Sequence, residues 1–352
     1  MKIWIEAFTP KQVLLFSYLQ EVFGKTNVFL TTRDYDLNRQ LAHKLWSRYF
    51  VIGHYPGSTP LAKLKESVRR QEDLIRVVEH ERPDVHVTFV SPDSTRVAFG
   101  LGIPVITSSD SPHSDAVSRL TIPLSKKFIT PSFLVKGFER YGRLTEIVSF
   151  NGLFELAWVL REKPEPEIPR GLGLEPFNYI LVRPGEQKAY YYPDEKKALA
   201  LPLSIIMQVL KLTPFDVLIY PRYSDQERFF RKKLSEYSER VKILDQATSF
   251  VSLEFFARIV VTGGGTMATE SALLGTPAIV TYPGEVETHN FVKVKGFPLF
   301  RFPISRRILE QLLLREPTVE ERRHYIEKAR KMFEDPVKVY EREIKALVEQ
   351  KL

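Results

Sequence analysis

Cysteine is absent from this 352-residue chain, which rules out disulfides, thiolate metal sites and cysteine nucleophiles together. The 7 histidines are dispersed, with no i, i+4 pair flanking a carboxylate, so no metal site and no bound cofactor are expected. No apolar run is long enough to span a bilayer; the longest, "LALPLSIIMQVL" (Leu199 to Leu210), is short and interrupted. The opening "MKIWIEAF" has no basic region leading into a long apolar stretch, so it reads as a first β-strand rather than a signal peptide. These absences point to a cytoplasmic protein. Asparagine is sparse while Lys, Arg and Glu are abundant, a balance that suits a thermophile.

Apolar residues make up 43% of the chain and charged residues 27%, the composition of a soluble globular protein long enough for two domains. The net charge of +8 arises from 51 basic and 43 acidic residues. The two signs are mixed, as in "RKKLSEYSERVK" (Arg231 to Lys242), so they read as a salt-bridged solvated face and no nucleic-acid partner is expected. A basic surface also suits an anionic substrate, or an acceptor met at the negative inner face of a membrane.

Short β-rich runs alternate with helices along the chain. "KIWIEA", "NVFLTT", "YFVIG", "VHVTFV" and "PVITS" read as strands separated by helical periodicity, including a long charged helix over Leu61 to His80. The proline- and glycine-rich "REKPEPEIPRGLGLEP" (Arg161 to Pro176) breaks the pattern. It then restarts with "NYILVR", "DVLIYP", "VKIL", "RIVVT" and "PAIVTY", and ends in a charged helical segment broken at Pro336. The expected architecture is α/β: two Rossmann-like parallel-sheet domains facing across a cleft, with ligands outside the carboxyl ends of the strands. The expected boundaries are residues 1–160, a linker over 161–176, a second domain over 177–335 and a C-terminal helix over 336–352.

The densest stretch is "TGGGTMATESALLGTPAIV" (Thr262 to Val280). Gly263, Gly264 and Gly265 lie between a strand ending at Thr262 and a helix closing at Gly275. Glycine permits close backbone approach to a ligand, and the helix start presents unpaired N–H groups and partial positive charge to an anion. The spacing fits neither the Walker loop nor the dinucleotide fingerprint. Thr266 opens the helix and Glu270 lies one turn further, where a carboxylate can accept two hydrogen bonds from a vicinal diol such as ribose.

This stretch resembles the donor-nucleotide segment of GT-B glycosyltransferases and UDP-N-acetylglucosamine 2-epimerases. That resemblance implies a GT-B-like fold, a diphosphate at the glycine turn, ribose hydroxyls on Glu270, and Ser249 and Phe250 of "DQATSFVSLEFFARIVV" near the nucleotide. The whole chain resembles a prokaryotic family of unknown function, number 354 in the domain-of-unknown-function series. "MKIWI", "TTRDYD", "RPDVHVTFVSPDSTRVAFGLGIPVI" and "SRLTIPL" carry this likeness. The chain departs from the family pattern at Gln12, Pro112-His113, Ser118 and Thr269, while Glu270 keeps it.

Candidates for chemistry in the first half are Asp110, His113 and Asp115 in "TSSDSPHSDAVSRL", where an imidazole oriented by a carboxylate could act as general base. Each also reads as a turn former or solvated loop residue. Asp93 of "SPDSTR" resembles an acidic position of the epimerases, and Arg119 an arginine of theirs. Arg183 and Arg222 each end a strand of the second half, where a guanidinium could clamp a diphosphate or simply brace the fold. Asp34-Tyr35-Asp36 is formally a D-x-D motif but is expected to cap a helix rather than bind metal. The leading reading is a glycosyltransferase that uses a nucleotide sugar, preferably a UDP-sugar, as donor. A 2-epimerase and a non-catalytic nucleotide-sugar binder are the alternatives; acceptor and oligomeric state are not legible.

Overall fold

The computed structural model describes residues 1–35, 37–57, 59–186, 195–244 and 249–349. Asp36, the second carboxylate of the D-x-D motif, lies outside them. The chain folds into two units, Met1–Trp158 together with Phe333–Leu352, and Val159–Met332.

The first unit is built on seven strands, β1 (Ile3–Ala7), β2 (Val28–Asp34), β3 (Tyr49–His54), β4 (Val85–Thr88), β5 (Val105–Ser108), β6 (Lys127–Pro131) and β7 (Glu146–Phe150). They pair in the order β3-β2-β1-β4-β5-β6-β7, every neighbour parallel. Strands β1, β4 and β5 are buried along their whole length, as a parallel sheet covered on both faces requires. The long helix Pro60–Glu81 starts where Thr59 accepts a hydrogen bond from the Ala62 amide and Pro60 fixes the first φ; it stops at Arg82 in the left-handed region.

The second unit carries β8 (Tyr179–Arg183), β9 (Asp216–Ile219), β10 (Val241–Ile243), β11 (Val260–Thr262), β12 (Ala278–Val280) and β13 (Leu299–Arg301). Their order, β10-β9-β8-β11-β12-β13, is again wholly parallel. Its core joins Ile180, Val182, Val217, Val261 and Ile279 of the sheet to Ile205, Ile206 and Val209 of the helix Glu195–Leu212.

Sequence periodicity yields five strands in each half; β6, β7 and β13 are additional. β13 has three residues, β7 starts on exposed Glu146, and β6 starts on Lys127, a charge that no pattern rule places inside a sheet. Lys127 is buried because Glu343, 2.6 Å away on the helix Pro336–Glu349, neutralises it. That helix belongs to the first unit, where the Tyr340 hydroxyl donates to Ser108 Oγ at 2.6 Å. The 161–176 segment belongs to the second unit and includes a short helix, Glu167–Gly171. Of the described part of the D-x-D stretch, Asp34 pairs with Arg39 at 3.2 Å, and the helix Asn38–Leu45 has Leu37 at its N-cap.

Candidate functional site

In the second unit the carboxyl ends of β8, β9 and β11 bring the glycine turn beside two other loops. Gly263 packs so tightly that an added Cβ would stand 2.2 Å from Gly185 Cα, in the loop leaving β8. Gly264 (φ +103°) and Gly265 (φ +79°) then turn the chain through conformations closed to most side chains. Gly265 is the N-cap of the helix Thr266–Leu273, and nothing lies within 4 Å of where its Cβ would be. One loop glycine is therefore required by packing, and the last leaves open space at a helix start. The amides of Thr266 and Met267, in the first turn, have no acceptor within the helix.

Glu270 lies in this helix and is 6% exposed. Beneath it is a second carboxyl that pattern reading did not single out, Glu254 of the helix Phe250–Phe255, which is fully buried. Ser271 Oγ donates to Glu254 Oε2 at 2.6 Å, while Glu254 Oε1 is buried without a partner. Burial first, then the charge of Glu270, hold the Glu254 carboxyl well above the ordinary carboxylate value, against the Ser271 hydrogen bond. That environment favours the protonated form of Glu254 beside Glu270.

His289, from the helix Glu287–Val294, faces the same turn: its Cε1 would be 3.4 Å from a Cβ on Gly264. It is 3% exposed, and burial pushes it down to about 4 despite the hydrogen bond to the Gly265 backbone, so the imidazole is neutral. A polar residue inside an apolar run, as in "SFVSLEFF", is the only sequence signal that could have flagged Glu254.

The other second-unit candidates also make contacts within the unit, the Arg222 guanidinium standing 3.9 Å from Glu186. Arg183 Nη1 donates to the carbonyls of Tyr220 and Pro221 at 3.2 and 3.1 Å, and its guanidinium lies 3.7 Å from the Tyr220 ring centroid. Tyr220 in turn meets Phe250, centroids 4.7 Å apart. The Arg222 amide donates to Gln226 Oε1 at 2.8 Å, and Gln226 Nε2 donates to the Gly185 carbonyl at 2.8 Å. Ser249 caps the helix Phe250–Phe255, accepting from the Ser252 amide at 3.3 Å.

In the first unit the carboxyl ends of β1 and β5 assemble a charge cluster. Lys11 Nζ lies 2.5 Å from Asp110 and 3.1 Å from Glu155, and over the rings of Phe89 and Phe154. Burial opposes charge on all three, but the two carboxylates hold Lys11 above its ordinary value. Burial likewise works against the Asp110 charge, yet Lys11 and the hydrogen bond from Ser111 hold it below the ordinary carboxylate value. Glu155 is held above that value by burial and by the charge of Asp110. Lys11 and Glu155 are additions to the sequence-derived set; as single charges in amphipathic stretches they carry no motif.

Asp93 belongs to a second cluster. Arg70 Nη2 lies 2.6 Å from Glu6 and its Nη1 3.2 Å from Asp93, which also accepts from Ser67 Oγ at 2.5 Å. Glu6, in the middle of "IWIEA", is held above the ordinary carboxylate value by burial in spite of Arg70. Arg33 stacks alongside, 4.5 Å from the Phe8 centroid and 4.8 Å from that of Tyr35.

Asp115 is engaged elsewhere, paired with Arg119 at 2.7 Å and with Arg140. His113 is exposed, and among the described residues no hydrogen bond joins it to Asp110 or Asp115. The expected imidazole–carboxylate pair is therefore not assembled, because Lys11 and the two surface arginines take both carboxylates. Of the family departures, Gln12 accepts from the Phe8 amide at 2.6 Å, Ser118 Oγ donates to the Ser114 carbonyl at 2.9 Å, and Pro112 packs on Gly137. Among the described residues no group of His, Asp and Glu has a metal-binding arrangement, and no helix is long and apolar enough to cross a membrane.

The chain belongs to the family described as "Protein of unknown function (DUF354)", whose model matches residues 1–333. It is 28% identical over 297 residues to the uncharacterized protein MJ0665 of Methanocaldococcus jannaschii, covering 81% of this chain and 83% of that one. Among solved structures it is similar to the UDP-GlcNAc 2-epimerase of the same organism in complex with UDP-GlcNAc and UDP. The TM-score is 0.64 at 16% identity, over 93% of this chain and 99% of that chain. It is also similar to the glycotransferase of kitacinnamycin, with a TM-score of 0.59 at 13% identity over 97% and 98% of the two chains. The fold is thus of the GT-B type, two Rossmann-like parallel-sheet units, as the glycine segment implied.

Proposed function

We propose that the protein is a sugar-nucleotide-dependent glycosyltransferase whose second unit holds the donor, a UDP-sugar. The observation that carries this reading is the glycine turn itself. Gly263 is pressed onto Gly185, Gly265 opens a space at a helix start, and the Thr266 and Met267 amides point out of the first turn. A diphosphate is the ligand such a turn accommodates, and Glu270, one turn along the same helix, is the ribose acceptor. Catalysis then rests on stabilising the departing diphosphate with fixed backbone dipoles. Asp110, kept ionised by Lys11, is the base this reading assigns to the acceptor hydroxyl. Asp93, His113, Asp115 and Arg119 take no part in that assignment.

One observation favours the epimerase as a second reading. Asp110 and Glu155 share Lys11, while their surroundings move one carboxyl down and the other up, the pattern of a paired base and acid. Elimination and re-addition of the nucleotide need such a pair.

Melting the protein against a panel of UDP- and GDP-sugars, followed by product analysis, tests both. Release of free UDP only with an acceptor supports transfer, and exchange of the sugar C2 proton supports epimerisation. Saturable binding without turnover leaves the donor site and removes the catalysis. Glu270→Ala is expected to weaken UDP about 10- to 100-fold through lost charge-assisted hydrogen bonds. No stabilisation by any nucleoside diphosphate, with Glu270→Ala indistinguishable from wild type, would sink the donor site.

A further inference from the structure

A cavity of about 330 Å³ opens in the second unit at the amino ends of β11, β12 and β13, the sheet edge opposite the glycine turn. Phe297, Phe300 and Leu312 supply apolar wall, and set among them are Arg258, Arg315 and Arg322 with a single carboxylate, Glu321. Glu321 is taken by Arg315, 2.8 Å away at the exposed rim.

The other two arginines are buried, Arg258 at 7% and Arg322 at 2% exposure. Among the described residues neither has a carboxylate within ion-pair distance. Arg258 donates through Nε to the Phe177 carbonyl at 2.8 Å and through Nη1 to that of Arg315 at 2.6 Å. Arg322 donates to the carbonyls of Gly275 and Ala257, and its Nε is buried with no partner at all. Burial, with the like charge of Arg258 adding and Glu321 opposing, pushes Arg322 down to about 10. Bracing carbonyls needs only neutral donors. The carboxylates that offset them, Glu316 for Arg258 and Glu321 for Arg322, act from beyond ion-pair distance, and two adjacent buried cations offset only in that way are costly.

We propose that this cavity is a binding site for a small organic phosphate whose remaining part is apolar or aromatic. Three guanidiniums line the cavity against one carboxylate, and with Glu316 outside the lining an excess of positive charge still remains, which suits a phosphate monoester. The donors left over are the Arg322 Nε–H and the second hydrogens of the terminal nitrogens, which suit an acceptor with several oxygens. The apolar wall then receives the organic portion, and the cavity has the volume of an ordinary small-molecule site.

Calorimetric titration of the full chain with phenyl phosphate and with inorganic phosphate, in phosphate-free buffer, tests the assignment. Phenyl phosphate is expected to saturate and to bind more tightly than inorganic phosphate. Arg315→Glu, a change at an exposed side chain, is expected to weaken it at least about tenfold. Leu312→Trp, which fills the cavity, is expected to abolish it, with melting curves confirming that both variants fold. These two variants also separate the cavity from the glycine turn, which neither touches. The proposal is overturned by the absence of saturable binding, by equal affinity in wild type and both variants, or by phenyl phosphate binding no better than inorganic phosphate.

Discussion

In the first unit, Lys11 answers Asp110 and Glu155, and Arg70 answers Glu6 and Asp93. In the second, around the glycine turn, the polar groups are backbone amides, the Glu270 carboxylate, a Glu254 carboxyl whose value is raised by burial and by Glu270, and a neutral imidazole. Among the described residues no ion pair reaches Glu254 or His289. The first-unit clusters therefore complete their charges on folding, whereas around the glycine turn the described polar groups include backbone dipoles at a helix start that no ion pair answers. Pre-paired charge stabilises a site and fixes its geometry; unpaired dipoles leave room for a ligand to supply the charge.

The largest expected effect breaks the first half of that contrast. Lys11→Met leaves two mostly buried carboxylates without their cation and is expected to cost about 3–5 kcal/mol in urea denaturation at neutral pH. The loss should shrink in acid, as the carboxylates protonate. A cost like that of an ordinary surface pair would show that the cluster is solvated and that the contrast is false.

Next is the pair Gly263→Ala and Gly265→Ala, which sharpens the second half. The first drives a methyl into the Gly185 backbone and is expected to cost about 1–3 kcal/mol and to displace the turn, with UDP binding lost. The second has room for its methyl but holds φ +79° with ψ −155°, a region essentially reserved for glycine, so it is expected to cost about 1–3 kcal/mol through backbone strain alone, and UDP binding should weaken less because the Gly185 loop is not displaced. Equal losses of affinity in UDP titrations would contradict the division between a packing glycine and an opening glycine.

The smallest effect concerns Glu254. Its folded-state value stands above 4.5, so its contribution to stability is full below that pH and falls as the pH rises towards the raised value. Glu254→Gln is expected to flatten this part of the pH dependence and to leave the protein somewhat more stable than wild type at neutral pH. Melting temperatures from about pH 5 to 8 provide the check. Parallel curves for the two proteins would show Glu254 ionised in the fold, returning a full charge to the second unit.

The glycine turn was legible because a strand, consecutive glycines and a helix occupy adjacent positions in the chain. The placement of Glu270 was legible for the same reason, one helical turn beyond the glycines. Lys11 and Glu155 were not, since nothing local distinguishes a lysine that reaches two carboxylates from one that reaches water. His113 and Asp115 illustrate the opposite error. Close in sequence, they suggest a catalytic pair, but Arg119 and Arg140 claim the carboxylate first. Strand β13 escaped because three residues owe their pairing to neighbours rather than to their own pattern, and β6 because it opens on the charge of Lys127.

The sequence by itself determined the α/β alternation, the parallel sheets and the glycine turn at a helix start, all set by periodicity and conformation over a few consecutive residues. Only the tertiary structure decided which charges are neutralised by partners distant in the chain. Electrostatic energy depends on distance and burial in space, and Lys11 with Glu155, or Lys127 with Glu343, are neighbours only after the chain has folded.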